Sequence, residues 1–279
     1  MMTCMTAPKS PRVPKIERAH HHLEAINKAV RDFISEDNQI VTFEPDPDIP
    51  GNYLVKIKFK SFIGQLPLIV GDALQNLRSS LDHIALALTI RHSGEAISKD
   101  VERACQFPII GDTSKKGEPG MGPQMWRSNS GVKIGMASPK AQRIIEVLQP
   151  YQRGKDFDAH PLWVLNELCN RDKHRVLTMV TGVIDSLQIV PGSLINCRRL
   201  PGEMIPLGRT VNGNIEIASI PLEKIDPNLQ VGLKINITVK VVFSDILPDQ
   251  LNVIDTLWEI HRYITEEVIP PLAPYLRKS

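Results

Sequence analysis

"VGDALQNLRSSLDHIALALTIR", residues 70 to 91, decides how the rest of the chain is read. At about 100° per residue, Val70, Ala73, Leu74, Leu77, Leu81, Ile84 and Leu88 fall on one stripe, so an amphipathic helix is expected over residues 67–91. The same turn angle gathers Asp72, Asn76, Ser79 and His83 on one side of the stripe and Arg78 with Asp82 on the other. A core helix flanked by so many polar groups must meet partners for them, because a buried polar group without a hydrogen bond is costly. Local answers exist: Asp72 as an N-cap and Arg78 with Asp82 as an i, i+4 pair.

Outward from this helix, "KIERAHHHLEAINKAVRDFI" sets Ile16, Ala19, Leu23, Ile26, Val30 and Phe33 at helical spacing over 15–36, with His20, His21 and His22 inside it. Two strands, 39–45 and 53–60, follow around the turn-rich "DPDIPGN". In the second, Lys56, Lys58 and Lys60 alternate with Val55, Ile57 and Phe59, giving either a solvated, aggregation-resistant face or a phosphate-binding one. The Gly, Lys, Ser and Met-rich stretch from Gly111 to Ala137 reads as a long loop. Ser138 and Pro139 open a helix over 138–149, and Pro161 opens another over 161–181. Beyond it the period changes to two, predicting an antiparallel meander of strands at 183–190, 213–220 and 231–243, before a last helix over 249–269. The fold class expected is α+β, a single domain from residue 15 to 279 in which a helical bundle has an antiparallel β-sheet packed on one side.

Composition narrows the function classes. The formal charge of +2 does not announce nucleic acid, so any such binding must rest on a local patch. Cys4, Cys105, Cys169 and Cys197 are widely spaced and form no metal knuckle or disulfide framework. No apolar run approaches the roughly 18 residues of a membrane span, and "MMTCMTAPKSPRVPK" lacks a signal core. The expectation is a reduced, cytoplasmic chain with a disordered leader over 1–14 and no membrane association. Gly-rich phosphate loops and a G-x-S-x-G elbow are absent.

A second constellation lies in "LNELCNRDKHRVL". Leu165, Leu168, Cys169, Val176 and Met179 form its apolar stripe, and Asp172 falls in line with them. A carboxylate there needs a cation or a proton, and Arg78 and His83 are the candidates. Glu167, Arg171 and His174 share a different face. Read structurally, Asp172 staples two helices through Arg78 or His83. Read chemically, a carboxylate orienting a histidine beside an arginine is the minimum set for acid/base cleavage of a phosphodiester. A bundle metal site of Asp72, His83, Glu167, Asp172 and His174 is conceivable, but no two of these five show the Glu-x-x-His or His-x-x-x-His spacing, so no metal is expected. His261 falls on the apolar face of the last helix, where a histidine is ordinarily a satisfied core residue.

"KIERAHHHL", "GDALQNLRSSLDHIA", "QPYQ" and "PLWVLNELCNRDKHRVL", in that order, resemble a family of uncharacterised bacterial, largely actinobacterial, proteins, with GDALxNLRSxLDH and PLWxLNEL…DKHR as its motifs. The resemblance spans Lys15 to about Thr181 and implies no activity. Arg78-Ser-Ser-Leu-Asp-His83 is also similar to the R-x(4-6)-H motif of the HEPN superfamily, helical proteins many of which are metal-independent ribonucleases built from paired protomers. That resemblance implies RNA and a second copy of the chain as partners and no cofactor. Arg78 would stabilise charge on the phosphorane-like intermediate, and His83 would act as acid or base in attack by the ribose 2′-OH. A second match, Arg153 to His160, falls in a loop. Three readings follow: a HEPN-like metal-independent ribonuclease or RNA-binding protein with Arg78, His83 and Asp172 as its site and Asn76, Asp82, Glu167, Arg171 and His174 around it; a non-enzymatic interaction protein in which Arg78, His83 and Asp172 are a polar staple; and a metal-dependent hydrolase.

Overall fold

A computed structural model describes residues 13–35, 39–59, 65–94, 97–112, 120–174, 179–189, 214–221, 235–243 and 251–276. The first helix, α1 (Pro14–Ile34), buries the six apolar residues that its periodicity singles out. The second, α2 (Leu66–Ser93), buries the whole stripe from Val70 to Leu88. Because α2 begins at Leu66, Asp72 lies inside the helix and is exposed, and it is not the N-cap.

Between α2 and the next long helix the chain is more ordered than its composition suggests. A short helix, α3 (Lys99–Ala104), is capped by Ser98 and leads into an extended run from Cys105 to Asp112. The stretch expected as one loop contains α4 (Gly122–Ile134), with Pro123 in its first turn. Its weak amphipathicity hides it: Trp126 and Ile134 are its anchors in the core. In α5 (Pro139–Val147), Ser138 is the N-cap as expected, its Oγ accepting from Ala141 N at 3.2 Å. A 3₁₀ segment, Pro150–Ala159, then leads to α6 (Pro161–His174).

The end of α6 corrects the sequence reading. A helix to residue 181 was expected, but Met179 already belongs to strand β3 (Met179–Ile189). The β-branched Val180, Thr181 and Val183 favour the pleated backbone there. Strands β1 (Gln39–Pro45) and β2 (Asn52–Phe59) form an antiparallel hairpin, whose turn is set by Asp46 Oδ1 accepting from Asp48 N and Ile49 N and by Gly51 at φ 88°. The expected meander is also corrected. Strand β4 (Asn214–Pro221) pairs with β2, while β5 (Ile235–Phe243) pairs with β3, so the antiparallel sheets run β1-β2-β4 and β3-β5. The β2–β4 register sets Lys56 opposite Glu216, a backbone pairing that the meander would not form. Residues 190–213, between β3 and β4, lie outside the described residues.

The last helical run starts later and ends later than expected: α7 (Val253–Tyr263) passes through a π turn, Ile264–Val268, into α8 (Ile269–Leu276). Thr265 Oγ1 donates to the carbonyls of His261 and Arg262 within this turn, each at 3.0 Å. The chain is thus α+β, with a set of helices and antiparallel strands. It groups into two compact units, one of Met1–Glu24, Leu68–Leu177 and Asp255–Ser279, the other of Ala25–Pro67 and Thr178–Ile254. Among the described residues no helix is long and apolar enough to cross a membrane. Replacing the N-cap, Ser138→Ala, is expected to cost about 1 kcal/mol in thermal or urea denaturation; an unchanged midpoint would show that α5 does not need its cap.

Candidate functional site

The polar flank of α2 is explained by a buried segment that is neither helix nor strand. Phe107, Pro108 and Ile110 are buried in the extended run after α3, and Phe107 is fully inaccessible. Backbone in such a place must find hydrogen bonds that no ladder supplies. Arg78 Nη2 donates to the Phe107 carbonyl at 2.9 Å, and the Phe107 amide donates to Asp82 Oδ1 at 3.0 Å. Arg78 Nη2 also donates to the same Asp82 oxygen at 3.1 Å, closing a ring of three groups. Three residues on, the Ile110 amide donates to Gln149 Oε1 at 2.9 Å, and Gln149 Nε2 donates to the carbonyls of Pro108 and Ile145, both at 3.0 Å. Arg78 and Asp82 from α2, and Gln149 after α5, therefore stand in for the neighbouring strands of this segment.

Arg78 and His83 are separated by the geometry. Five residues turn the helix by about 140°, and while the Arg78 side chain is 14% exposed, His83 lies on an exposed face. Asp172 does not meet either of them among the described residues. It is half-buried, accepts from Gln75 Nε2 at 3.3 Å, and sits where α2 carries Gly71, a Cβ on which would stand 3.1 Å from Asp172 Oδ1. An amide partner and partial solvation replace the cation that its place in the apolar stripe predicted. Asn76 donates to the carbonyl of Asp72 in its own helix at 2.7 Å. Glu167 is half-buried and Arg171 exposed on α6; the side chain of His174 lies outside the described residues.

Of the lysine face on β2, Lys60 lies outside the described residues, Lys58 is exposed, and Lys56 donates to Glu44 Oε2 at 2.7 Å. Paired with Glu44, Lys56 adds little to a basic patch. Among the described residues no group of three or more His, Cys, Asp or Glu side chains converges to hold a metal ion, and Asp72, His83, Glu167 and Asp172 form no such group.

Histidines dismissed by sequence reasoning turn out to be the perturbed ones. His160, 3% exposed, accepts the Leu162 amide on Nδ1 at 3.1 Å and lies 3.1 Å from Tyr263 Oη through Nε2. That pattern places the single ring proton on Nε2, donated to Tyr263, so the tyrosine O–H is free to point onward. Tyr263, with Arg153, Arg262 and Glu267, lines a surface cleft of about 400 Å³. Burial, and secondarily Arg153, push the His160 pKa down to about 4. On α7, His261 packs against Trp258 and, with ring centroids 5.3 Å apart, against His20 of α1; burial and then His20 lower its pKa. Trp258 and His261 line a second cleft of about 560 Å³. The only sequence signal for the His160 site was the chance-like spacing from Arg153 to His160.

Compared with protein-family models, with curated proteins and with solved structures, the chain matches none.

The His160 pKa fixes a pH dependence. Its folded value of about 4 lies below the unfolded 6.5, so its contribution is complete above pH 6.5 and is lost as pH falls toward 4. The loss expected across that window is about 3 kcal/mol, read as the difference between the pH profiles of the wild type and His160→Gln. Parallel profiles would mean that His160 titrates normally.

Proposed function

We propose that this chain is a non-enzymatic interaction protein in which the polar residues of α2 hold the fold and perform no hydrolysis. The observation that carries this reading is the ring of Arg78, Asp82 and the Phe107 backbone. Arg78 Nη2 and Asp82 Oδ1 are both engaged with the buried Phe107 backbone, at 2.9 and 3.0 Å. A guanidinium clamped in this way is not paired with the exposed imidazole of His83, which an acid/base cleavage at those two residues requires. Nor does Asp172, bonded to Gln75, orient that imidazole. The staple of this reading is thus made of Arg78 and Asp82, with Asp172 and Gln75 joining α2 to α6 and His83 outside it.

Purified full-length protein incubated with RNA in EDTA tests the reading, because a 2′-OH mechanism needs no metal and leaves 2′,3′-cyclic phosphate ends. No cleavage is expected. Arg78→Ala should lower stability by about 2 to 3 kcal/mol, since it leaves the Phe107 carbonyl without its charged donor, whereas His83→Ala should stay near the wild-type midpoint. Cleavage that survives EDTA and falls about 10²-fold in folded His83→Ala would overturn the proposal in favour of the HEPN-like ribonuclease.

A further inference from the structure

His160 and Tyr263 fix the direction of a hydrogen bond that ends in the smaller of the two clefts. His160 Nδ1 accepts the Leu162 amide at 3.1 Å, so the proton of the neutral imidazole is on Nε2, 3.1 Å from Tyr263 Oη. Tyr263 Oη therefore accepts from His160, and its own O–H has to donate elsewhere. Burial raises the Tyr263 pKa, which keeps that proton in place. Among the described residues no protein acceptor takes it, and Tyr263 lines the cleft of about 400 Å³. A molecule bound at this hydroxyl meets a donor and must present an acceptor. Two cations stand in the same cleft: Arg153 of the 3₁₀ segment and Arg262 of α7, both exposed. The cleft is not simply basic, because Glu259, Arg262, Tyr263, Glu266 and Glu267 all line it, at i, i+3, i+4, i+7 and i+8 of one helical face. Charges of both signs stand one turn apart, yet none of the five charged side chains forms an ion pair among the described residues. Two guanidinium groups against three carboxylates leave one negative charge in excess.

We propose that this cleft binds a free basic α-amino acid, with its carboxylate at Arg153, Arg262 and the Tyr263 hydroxyl and its ammonium groups at the glutamates. A volume of about 400 Å³ is in the range of small-molecule sites. The carboxylate suits the donors, since a planar guanidinium offers it two parallel N–H bonds and the tyrosine a third. Phosphate, an anion with no cationic end, would stand against three carboxylates. A neutral amino acid satisfies both signs of charge, and a basic one also cancels the excess negative charge of the lining. Beside the Tyr263 ring, Pro161 is the only apolar residue of the lining among the described residues, so a large hydrophobic side chain would find no cover there. The cleft shares no residue with the ring of Arg78, Asp82 and Phe107, and it stands or falls separately from the non-catalytic reading of α2.

The test follows the ¹H–¹⁵N signals of Arg262 and Tyr263 in the full-length protein while L-lysine is added at constant ionic strength. Cadaverine, which lacks the carboxylate, norleucine, which lacks the side-chain ammonium, and inorganic phosphate are the comparison ligands. Lysine should shift these signals with a Kd of about 1 mM or tighter. Cadaverine and norleucine should each bind about 10-fold more weakly, the scale of one charge-assisted interaction, and phosphate should not displace lysine. Arg153→Gln, at an exposed position, should weaken lysine about 10-fold without moving the melting temperature. Tyr263→Phe should weaken it several-fold; because this change also takes the acceptor from buried His160, its thermal transition is checked first, and Arg153→Gln decides the matter if that variant does not fold. Signals indifferent to lysine up to about 10 mM, equal binding of cadaverine or norleucine, displacement of lysine by phosphate, or an unchanged Kd in Arg153→Gln would each overturn the site.

Discussion

A buried stretch of chain that belongs to no strand ladder among the described residues sets the constraint that the helical part of this protein meets. Phe107 through Ile110 carry backbone donors and acceptors among apolar side chains, where each unmet group costs on the order of 1 to 3 kcal/mol. Arg78 and Asp82 serve the two polar groups of Phe107, and Gln149 serves the Pro108 carbonyl and the Ile110 amide. Removing any of the three side chains leaves a peptide group unpaired, which is why a helix with a fully buried apolar stripe also carries charge at its borders. Gln149 is itself 1% exposed, an unusual place for an amide until its three bonds are counted.

The same constraint orders the neighbourhood. Tyr151 N donates to the Ile110 carbonyl at 3.0 Å, so the 3₁₀ segment after α5 begins by satisfying a further polar group of the extended run. Its far end delivers His160, which caps α6 through Leu162 and reaches Tyr263. Backbone satisfaction at Phe107 and ring chemistry at His160 are thus parts of one helical unit, built by short segments that periodicity does not mark. With Arg78 committed to structure, what lies open on this unit is the pair of clefts along α7.

The long amphipathic helices were legible because their apolar residues repeat at helical spacing: every stripe residue named on α1 and α2 is buried. The Ser138 cap and the Arg78–Asp82 pair were legible for the same local reason. Three things were not. Helix α4 has too little apolar contrast to stand out from a loop. The switch from α6 to β3 falls inside a stretch whose apolar spacing suits either element, and β propensity decided it. The pairing of β4 with β2 depends on contacts far apart in sequence, which spacing cannot report. At the site, Asp172 was placed by an idealised wheel that left out Gly71, whose missing side chain makes room for the carboxylate and brings Gln75 within reach. Gln149 was missed altogether, since a glutamine at a helix end looks solvated until the buried segment beside it is known.

The central claim is that side chains of α2 act as the hydrogen-bonding neighbours of Phe107. Amide hydrogen exchange of the Phe107 N–H, measured in the wild type and in Asp82→Ala, tests this most directly. Protection of that amide to a degree comparable with the interior of α2 is predicted, together with its selective collapse in Asp82→Ala while amides around Leu77 stay protected. Exchange of the Phe107 amide at the rate of an unstructured peptide in the wild type, or protection that Asp82→Ala leaves intact, would contradict the account.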